Sequence, residues 1–183
     1  MEASIARAHS MDFDALRQST LAFVEVHKAW TPLIAGLLAF GESVAFLSLL
    51  VPATVILLGI GALIGASDIA FWPVVTAAAI GAALGDWLSY EFGRYYKEGA
   101  KNFWPMSRYP EPTRRAEDFL RRWGAGAVAI GRFFGPVRAV IPLIAGIFGV
   151  DRIPFQIANV LSAAVWAFVL LAPGAGLISW FQG

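Results

Sequence analysis

Two arginines and two prolines interrupt an otherwise apolar segment, and this combination limits the possible folds more than any other feature. Residues 131–146 have the sequence GRFFGPVRAVIPLIAG. An arginine at bilayer depth is costly and normally faces a partner or a wet cavity. Proline also breaks helical backbone hydrogen bonds, and the freed carbonyl groups must be satisfied by protein or water. We therefore expect Arg132, Pro136, Arg138 and Pro142 to form a functional bend.

The composition places the chain in the integral membrane class. Of its 183 residues, 58% are hydrophobic and 15% are charged, whereas soluble domains carry about 25% charged residues. The absence of cysteine excludes disulfides and thiolate metal sites. The two histidines, His9 and His27, precede the apolar part, so we expect no metal, no cofactor and no histidine-based catalysis.

Charge and hydropathy divide this single membrane domain, residues 1–183, into four parts. They are an N-terminal amphipathic, interfacial segment (1–28), a first repeat half (31–93), a basic loop (94–123) and a second repeat half (124–183). Residues 94–122 hold 8 of the 14 basic residues, so the positive-inside rule predicts that this loop is cytoplasmic. Apolar side chains at helical spacing near its end, from Ala116 to Trp123, predict a second interfacial amphipathic helix.

The first half contains apolar segments that are too short to cross a bilayer twice. Glu42 lies within one of them, Pro52 interrupts the chain, and about 14 apolar residues follow, which reach roughly 20 Å of the roughly 30 Å hydrocarbon core. We predict a re-entrant hairpin over residues 31–65, bent near Pro52, followed by a full span over residues 69–93.

The second half shows the same pattern. Residues 124–150 are broken at Gly135-Pro136 and at Pro142, which predicts a second re-entrant hairpin, and residues 153–183 carry no charge and predict a further span.

The two halves also match each other weakly. A shift of 90 residues places Gly41-Glu42 on Gly131-Arg132 and Pro52 on Pro142, and a shift of 81 places Pro73 on Pro154. Chance is one explanation in so apolar a sequence. The other is an inverted repeat, in which paired broken helices meet near mid-membrane and mark a transport site.

The repeat places Glu42 opposite Arg132, and we predict a buried ion pair between them. Such a pair could gate access or could only fix the hairpins together, although buried pairs stabilise poorly compared with apolar packing. The guanidinium groups of Arg132 and Arg138 suit the oxygens of a lipid phosphate. The alternative is that both arginines pair with Glu42 and Asp86 and bind nothing.

Four polar residues support this prediction. Asp86 and Tyr90 are four residues apart and share a helical face, with Asp86 either holding an arginine or lying near the interface. Glu42 is the best candidate for a proton carrier. Asn159 is expected to bond the broken backbone of a hairpin.

The residues around the bend resemble the DedA family of bacterial membrane proteins, whose domain is also called VTT or SNARE-associated. The resemblance rests on the following residues of this chain: Gly41-Glu42, Gly85-Asp86, Tyr90, Gly93-Arg94, Gly131-Arg132-Phe133, Pro136, Arg138, Pro142, Ala145-Gly146, Asn159 and Trp166.

The resemblance implies a bacterial inner membrane protein with two opposed re-entrant hairpins among transmembrane helices. It implies translocation of undecaprenyl phosphate or phospholipid, and phospholipid scrambling in eukaryotic relatives. It also implies a link to the proton motive force through membrane-embedded acids and the paired arginines, here Arg132 and Arg138.

The chain departs from the family pattern at two points. Many members carry a second acid in a Pro-Gly-acid turn, where this chain has Pro52-Ala53-Thr54, so coupling through a second hairpin acid is not expected. Members also commonly end with another transmembrane helix, whereas this sequence stops at Gly183, as a short or a trimmed form would.

The sequence thus favours a lipid flippase or scramblase that is not an enzyme, with membrane lipids and protons as partners. A proton-coupled transporter of small solutes or drugs would use the same acids and arginines. An enzyme acting on lipid phosphates is disfavoured by the lack of membrane histidines, and an assembly protein by the charges at bilayer depth. We expect no nucleic-acid partner, and a homo-oligomer is left open.

Overall fold

A computed structural model describes residues 26–44, 53–96, 110–134, 138 and 140–176, and all regular elements in these ranges are helical. A 3-10 turn at Lys28–Trp30 precedes helices α1 (Thr31–Ser43), α2 (Ala53–Ala66), α3 (Phe71–Tyr96), α4 (Pro110–Trp123), α5 (Gly126–Gly131), α6 (Ile141–Ile147) and α7 (Arg152–Leu171). The predicted all-α class is confirmed.

Two helices of the described part, α3 and α7, are long and apolar enough to cross a membrane. They contain 26 and 20 residues, or about 39 and 30 Å at 1.5 Å per residue. Helices α1 and α2 contain only 13 and 14 residues, which is short of the roughly 30 Å hydrocarbon core. A helix of the length expected for a span over residues 69–93 is therefore found as α3, and one of the length expected in the second half is found as α7.

Helices α3 and α7 pack against each other in opposite directions. Near the start of α3, the ring of Phe71 meets that of Phe168 edge-on at a centroid distance of 5.9 Å, and near its end Tyr90 stacks on Phe155 at 4.0 Å. The start of α3 and the end of α7 share an apolar cluster with α1 and α2. The end of α3 and the start of α7 share a second cluster with α4, α5 and α6. Each end of the long pair is thus covered by its own set of short helices.

Glycines allow the short helices to approach α3 at backbone distance. A Cβ atom on Gly81 would overlap the carbonyl oxygen of Gly36 in α1, and one on Gly146 in α6 would overlap the carbonyl oxygen of Tyr90. Small residues serve this purpose in membrane bundles, where helices associate through close packing. The crossing at Gly36 and Gly81 therefore sets the position of α1, which carries Glu42.

Pro142 does not interrupt a helix, contrary to the sequence-based prediction. It is the second residue of α6, where the N–H that proline lacks would have no partner within the helix. The interruption lies instead between Gly131 and Ile141. Pro52, Gly135 and Pro136 lie outside the described residues.

Two amphipathic segments were also predicted. The helix expected near residues 116–123 is found as α4, which begins earlier, at Pro110, and buries Leu120 against the second apolar cluster. The N-terminal segment 1–28 lies outside the described residues except for its last three positions.

The Gly36–Gly81 crossing predicts that Gly81→Ala weakens the fold although alanine favours helices. The added methyl group overpacks the crossing, which typically costs about 1–3 kcal/mol. Gly59→Ala is the matched control, because a Cβ atom there meets nothing within 4 Å. Thermal unfolding in detergent should show a lowered midpoint for Gly81→Ala alone. Equal midpoints for both variants would contradict the described crossing.

Candidate functional site

Polar side chains collect where the middle of α3 faces the middle of α7. Asp86 is contributed by α3, and Asn159, Ser162 and Trp166 are contributed by α7. The spacing of these three α7 residues, three and then four, places them on one face of the helix. All four side chains are buried, so the long pair encloses a polar strip within an apolar bundle.

Arg132 follows the last residue of α5 and inserts its guanidinium into this strip. It is 3% exposed and forms an ion pair with Asp86. Its Nε donates to the Ser162 hydroxyl at 3.0 Å, and its Nη2 donates to Asn159 Oδ1 at 2.6 Å. Its Nη1 is buried and has no hydrogen-bond partner among the described residues. One nitrogen of a buried guanidinium therefore lacks an acceptor among the described residues.

Arg138 reaches a second acid. Its Nη1 lies 3.1 Å from Oε1 of Glu42, its Nη2 donates to the Ser43 hydroxyl at 3.3 Å, and its guanidinium stands 4.4 Å from the centre of the Trp166 ring. Glu42 is the penultimate residue of α1, and the negative end of that helix favours a cation there. The Thr54 hydroxyl donates to the same Oε1 atom.

The predicted ion pair between Glu42 and Arg132 is wrong. Each arginine has its own acid, because Arg132 remains close to α5 and meets α3, whereas Arg138 lies six residues further along and reaches α1. The alternative pairing weighed from the sequence, with Glu42 and Asp86 as the partners, is the one observed. The two pairs nevertheless belong to one cluster, since Ser162 beneath Arg132 and Trp166 beneath Arg138 are one turn apart on α7.

Tyr90 lies one turn from Asp86 on α3 and supports the cluster, and α6 approaches its backbone closely at Gly146. Tyr90 shares a face of α3 with Asp86, as predicted, but its hydroxyl donates to the carbonyl oxygen of Val150 in the turn before α7. Arg94 donates to the Tyr90 hydroxyl at 3.1 Å. These contacts fix the α6–α7 turn and hold α7 in register with α3.

Asn159 has a different partner from the one expected. Its Nδ2 donates at 2.9 Å to the carbonyl oxygen of Ala83, which lies in the continuous helix α3 and not in a broken hairpin. Its Oδ1 accepts from Arg132. Asn159 therefore orients the arginine and at the same time ties α7 to α3.

Sequence reasoning assigned no contact within the cluster to four residues, although Trp166 and Thr54 were both named in the comparison with the family pattern. Ser162 and Trp166 could have been found, because they follow Asn159 at helical spacing. Ser43 and Thr54 carried no such signal, since their proximity to Glu42 and Arg138 depends on how α1 and α2 pack.

The cluster combines two permanently charged groups with two groups that can gain a proton. Enclosing two ion pairs in a bundle contributes little to stability compared with apolar residues of similar size. Guanidinium groups are always charged and bind phosphate oxygens in a bidentate manner, and carboxylates can exchange protons. The chemistry of the cluster thus suits reversible binding of an anion.

Comparison with known proteins gave one family match. The family model described as the VTT domain matches residues 51–176. Inner membrane protein YabI of Escherichia coli strain K12 is 29% identical over 83% of this chain and 60% of its own length. Inner membrane protein YqjA of the same strain is 30% identical over 67% of this chain and 56% of its own length.

A third relative is an uncharacterized membrane protein of Buchnera aphidicola subsp. Schizaphis graminum, 30% identical over 78% of this chain and 56% of its own length. The chain therefore spans less than two thirds of each of these relatives. No solved structure matches it.

The burial of Arg132 predicts that Asp86→Asn destabilises the protein by about 3–5 kcal/mol, because it leaves an uncompensated buried charge. The double variant Asp86→Leu with Arg132→Met should regain most of this loss. Glu117→Gln, which breaks the pair with Arg121 on the surface of α4, is the control and should match the wild type. Denaturation in detergent measures all three, and an Asp86→Asn protein as stable as the wild type would refute the described pair.

Proposed function

Since the chain belongs to the VTT domain family, also called DedA, and is a bacterial inner membrane protein, we propose that it moves a phosphate-bearing lipid between the two leaflets. The lipid is a polyprenyl phosphate, such as undecaprenyl phosphate, or a phospholipid. No bond of the lipid is made or broken, so the protein acts as a flippase or scramblase and not as an enzyme.

The observation that carries this proposal is the Arg132 guanidinium, which is buried between two membrane-length helices with one nitrogen unpartnered among the described residues. A lipid phosphate crossing the bilayer must exchange its water for other donors, since an unpaired charge in hydrocarbon is very costly. Nη1 of Arg132 offers such a donor within the helix bundle, while Asp86, Asn159 and Ser162 hold the rest of the guanidinium in place.

Arg138 and Glu42 supply the exchangeable part of the site. When Glu42 is ionised it holds Arg138, and when it takes up a proton Arg138 is released towards the phosphate. Oε2 of Glu42 is buried without a hydrogen-bond partner among the described residues, so this oxygen can take up the proton. Phosphate and carboxylate thus compete for one guanidinium, and proton uptake shifts that competition towards the lipid.

The lengths of the short helices support a pair of re-entrant hairpins. Helices α1 and α2 would form the first, and α5 and α6 the second, each entering the membrane beside α3 and α7 without crossing it. The 81-residue shift places Pro73, the third residue of α3, on Pro154, the third residue of α7. We propose that the two halves are an inverted repeat and that the ion pairs lie at their interface.

We propose further that the basic loop, residues 94–122, faces the cytoplasm. Helix α4 lies within it and exposes Arg114, Arg115, Arg121 and Arg122, while its apolar side packs against the bundle. The substrate site then connects the cytoplasmic leaflet with the opposite one.

The proposal predicts that Arg132→Lys impairs transport nearly as much as Arg132→Ala. Lysine keeps the charge but loses the fork that bonds Asp86, Asn159 and a phosphate together. Transport of a fluorescent phospholipid in liposomes containing the purified chain measures this effect. Arg121→Lys, at an exposed pair on α4, should retain wild-type activity, whereas an active Arg132→Lys protein would contradict the phosphate role.

Glu42→Gln tests the proposed proton carrier. The amide keeps the volume and the hydrogen bond to Thr54 but cannot titrate. We expect wild-type transport to accelerate as the pH falls and the variant to transport at a rate independent of pH. The measurement is the same liposome assay across a pH series. A fully active variant with the wild-type pH profile would remove Glu42 from the mechanism and leave Asp86 as the remaining acid.

A further inference from the structure

A groove of about 470 Å³ lies between α3 and α7, outside the buried cluster. It is lined by Trp87 and Glu91 of α3 and by Arg152 and Gln156 of α7. Glu91 is five residues from the end of α3 and Arg152 is the first residue of α7, so the groove lies at the end of the bundle that leads into the basic loop. We propose that it binds the headgroup of a zwitterionic phospholipid, in which an ammonium group and a phosphate lie close together.

The groove presents one acid and one base side by side. Arg152 binds Glu91 through two contacts, Nε to Oε1 at 3.1 Å and Nη2 to Oε2 at 3.0 Å. The Arg152 and Glu91 side chains are 63% and 33% exposed. An exposed pair of this kind contributes little to stability, and both groups are accessible to a ligand. The pair can therefore open to a ligand at little cost to the fold.

A zwitterionic headgroup complements this arrangement. Its phosphate would bind the Arg152 guanidinium and its ammonium the Glu91 carboxylate, so each charge exchanges one partner for another and none is left unpaired. An anionic headgroup without an amine would instead face the Glu91 carboxylate. Trp87 donates to Glu91 Oε1 at 3.3 Å and exposes nearly half of its surface, in keeping with an indole at the membrane interface.

Exposed apolar side chains follow the lining residues in the sequence. Leu88 of α3 comes after Trp87, Ile153 and Ile157 of α7 come after Arg152 and Gln156, and all three are exposed. A headgroup held between Glu91 and Arg152 could therefore leave its acyl chains against an apolar surface. A free, water-soluble zwitterion would make no use of these residues.

The inner wall of the groove is connected to Arg132. Gln156 Oε1 accepts from Asn159 Nδ2 at 3.4 Å, and Asn159 Oδ1 accepts from Arg132 at 2.6 Å. A headgroup that bonds Gln156 competes with Asn159, which orients the buried arginine. The groove is thus placed to admit lipid to the transport site. This role rests on the proposed function, whereas binding of the headgroup in the groove does not.

Native mass spectrometry of the purified chain in detergent tests the binding. The probes are short-chain phosphatidylethanolamine, which is zwitterionic, and short-chain phosphatidylglycerol, which is anionic. We expect the wild type to prefer phosphatidylethanolamine about tenfold, the effect of one additional charge-assisted contact. Glu91→Gln should abolish this preference, and Arg152→Gln should weaken binding of both lipids.

Glu111→Gln, in the exposed pair with Arg115 on α4, is the matched control and should bind as the wild type does. Circular dichroism checks that each variant is folded. Competition on the wild type provides a second test that needs no variant. The soluble headgroup glycerophosphoethanolamine should displace the zwitterionic lipid, and glycerophosphoglycerol should not. Wild-type binding by both groove variants, or equal displacement by the two headgroups, would overturn the proposal.

The groove and the proposed function can fail separately. If the wild type transports lipid but the groove variants bind both probes as it does, the groove inference is wrong and the transport proposal stands. If the wild type transports no lipid yet prefers phosphatidylethanolamine in a manner that depends on Glu91, the transport proposal is wrong and the groove site stands.

Discussion

The burial of the Arg132 guanidinium is the constraint on which the rest of the structure depends. A permanently charged group at this position must be paired and hydrogen-bonded, so α3 provides Asp86 and α7 provides Asn159 and Ser162. These contacts require α3 and α7 to lie close together in fixed register. The glycine crossings, the Tyr90–Phe155 stack and the bond from Asn159 to the backbone of α3 supply that register.

The two ion pairs differ in what surrounds them. Arg132 bonds three side chains on the long helices, whereas Arg138 bonds Glu42 and Ser43 at the end of a short one and stands over the Trp166 ring of α7. Thr54 lies at the position where many family members carry a second acid, and its hydroxyl donates a hydrogen bond to Glu42. We interpret the first pair as the fixed part of the site and the second as the part that exchanges, so that the proposed proton coupling would rest on the Glu42 carboxylate alone.

Much of this arrangement could be predicted from the sequence, because charged residues in apolar segments are few and informative. The full span over residues 69–93, the amphipathic helix before Trp123 and the participation of Arg132, Arg138, Glu42 and Asp86 in one cluster all follow from hydropathy, length and the cost of buried charge. Which residue each charged side chain pairs with could not be predicted in the same way. A weak internal repeat placed Glu42 opposite Arg132, but which acid meets which arginine depends on the five residues between the arginines and on the packing of α1. Pro142 was misjudged because proline at the start of a helix and proline within one look the same in sequence.

The central claim, that the buried arginines recognise a lipid phosphate, is tested most directly by comparing two lipids that differ only in that group. A fluorescent polyprenyl phosphate and the matching polyprenol would be followed in liposomes containing the purified chain, with protein-free liposomes to subtract spontaneous movement. The account predicts protein-dependent movement of the phosphate and none of the alcohol. Equal acceleration of both lipids, or acceleration of neither this phosphate nor a phospholipid, would contradict it.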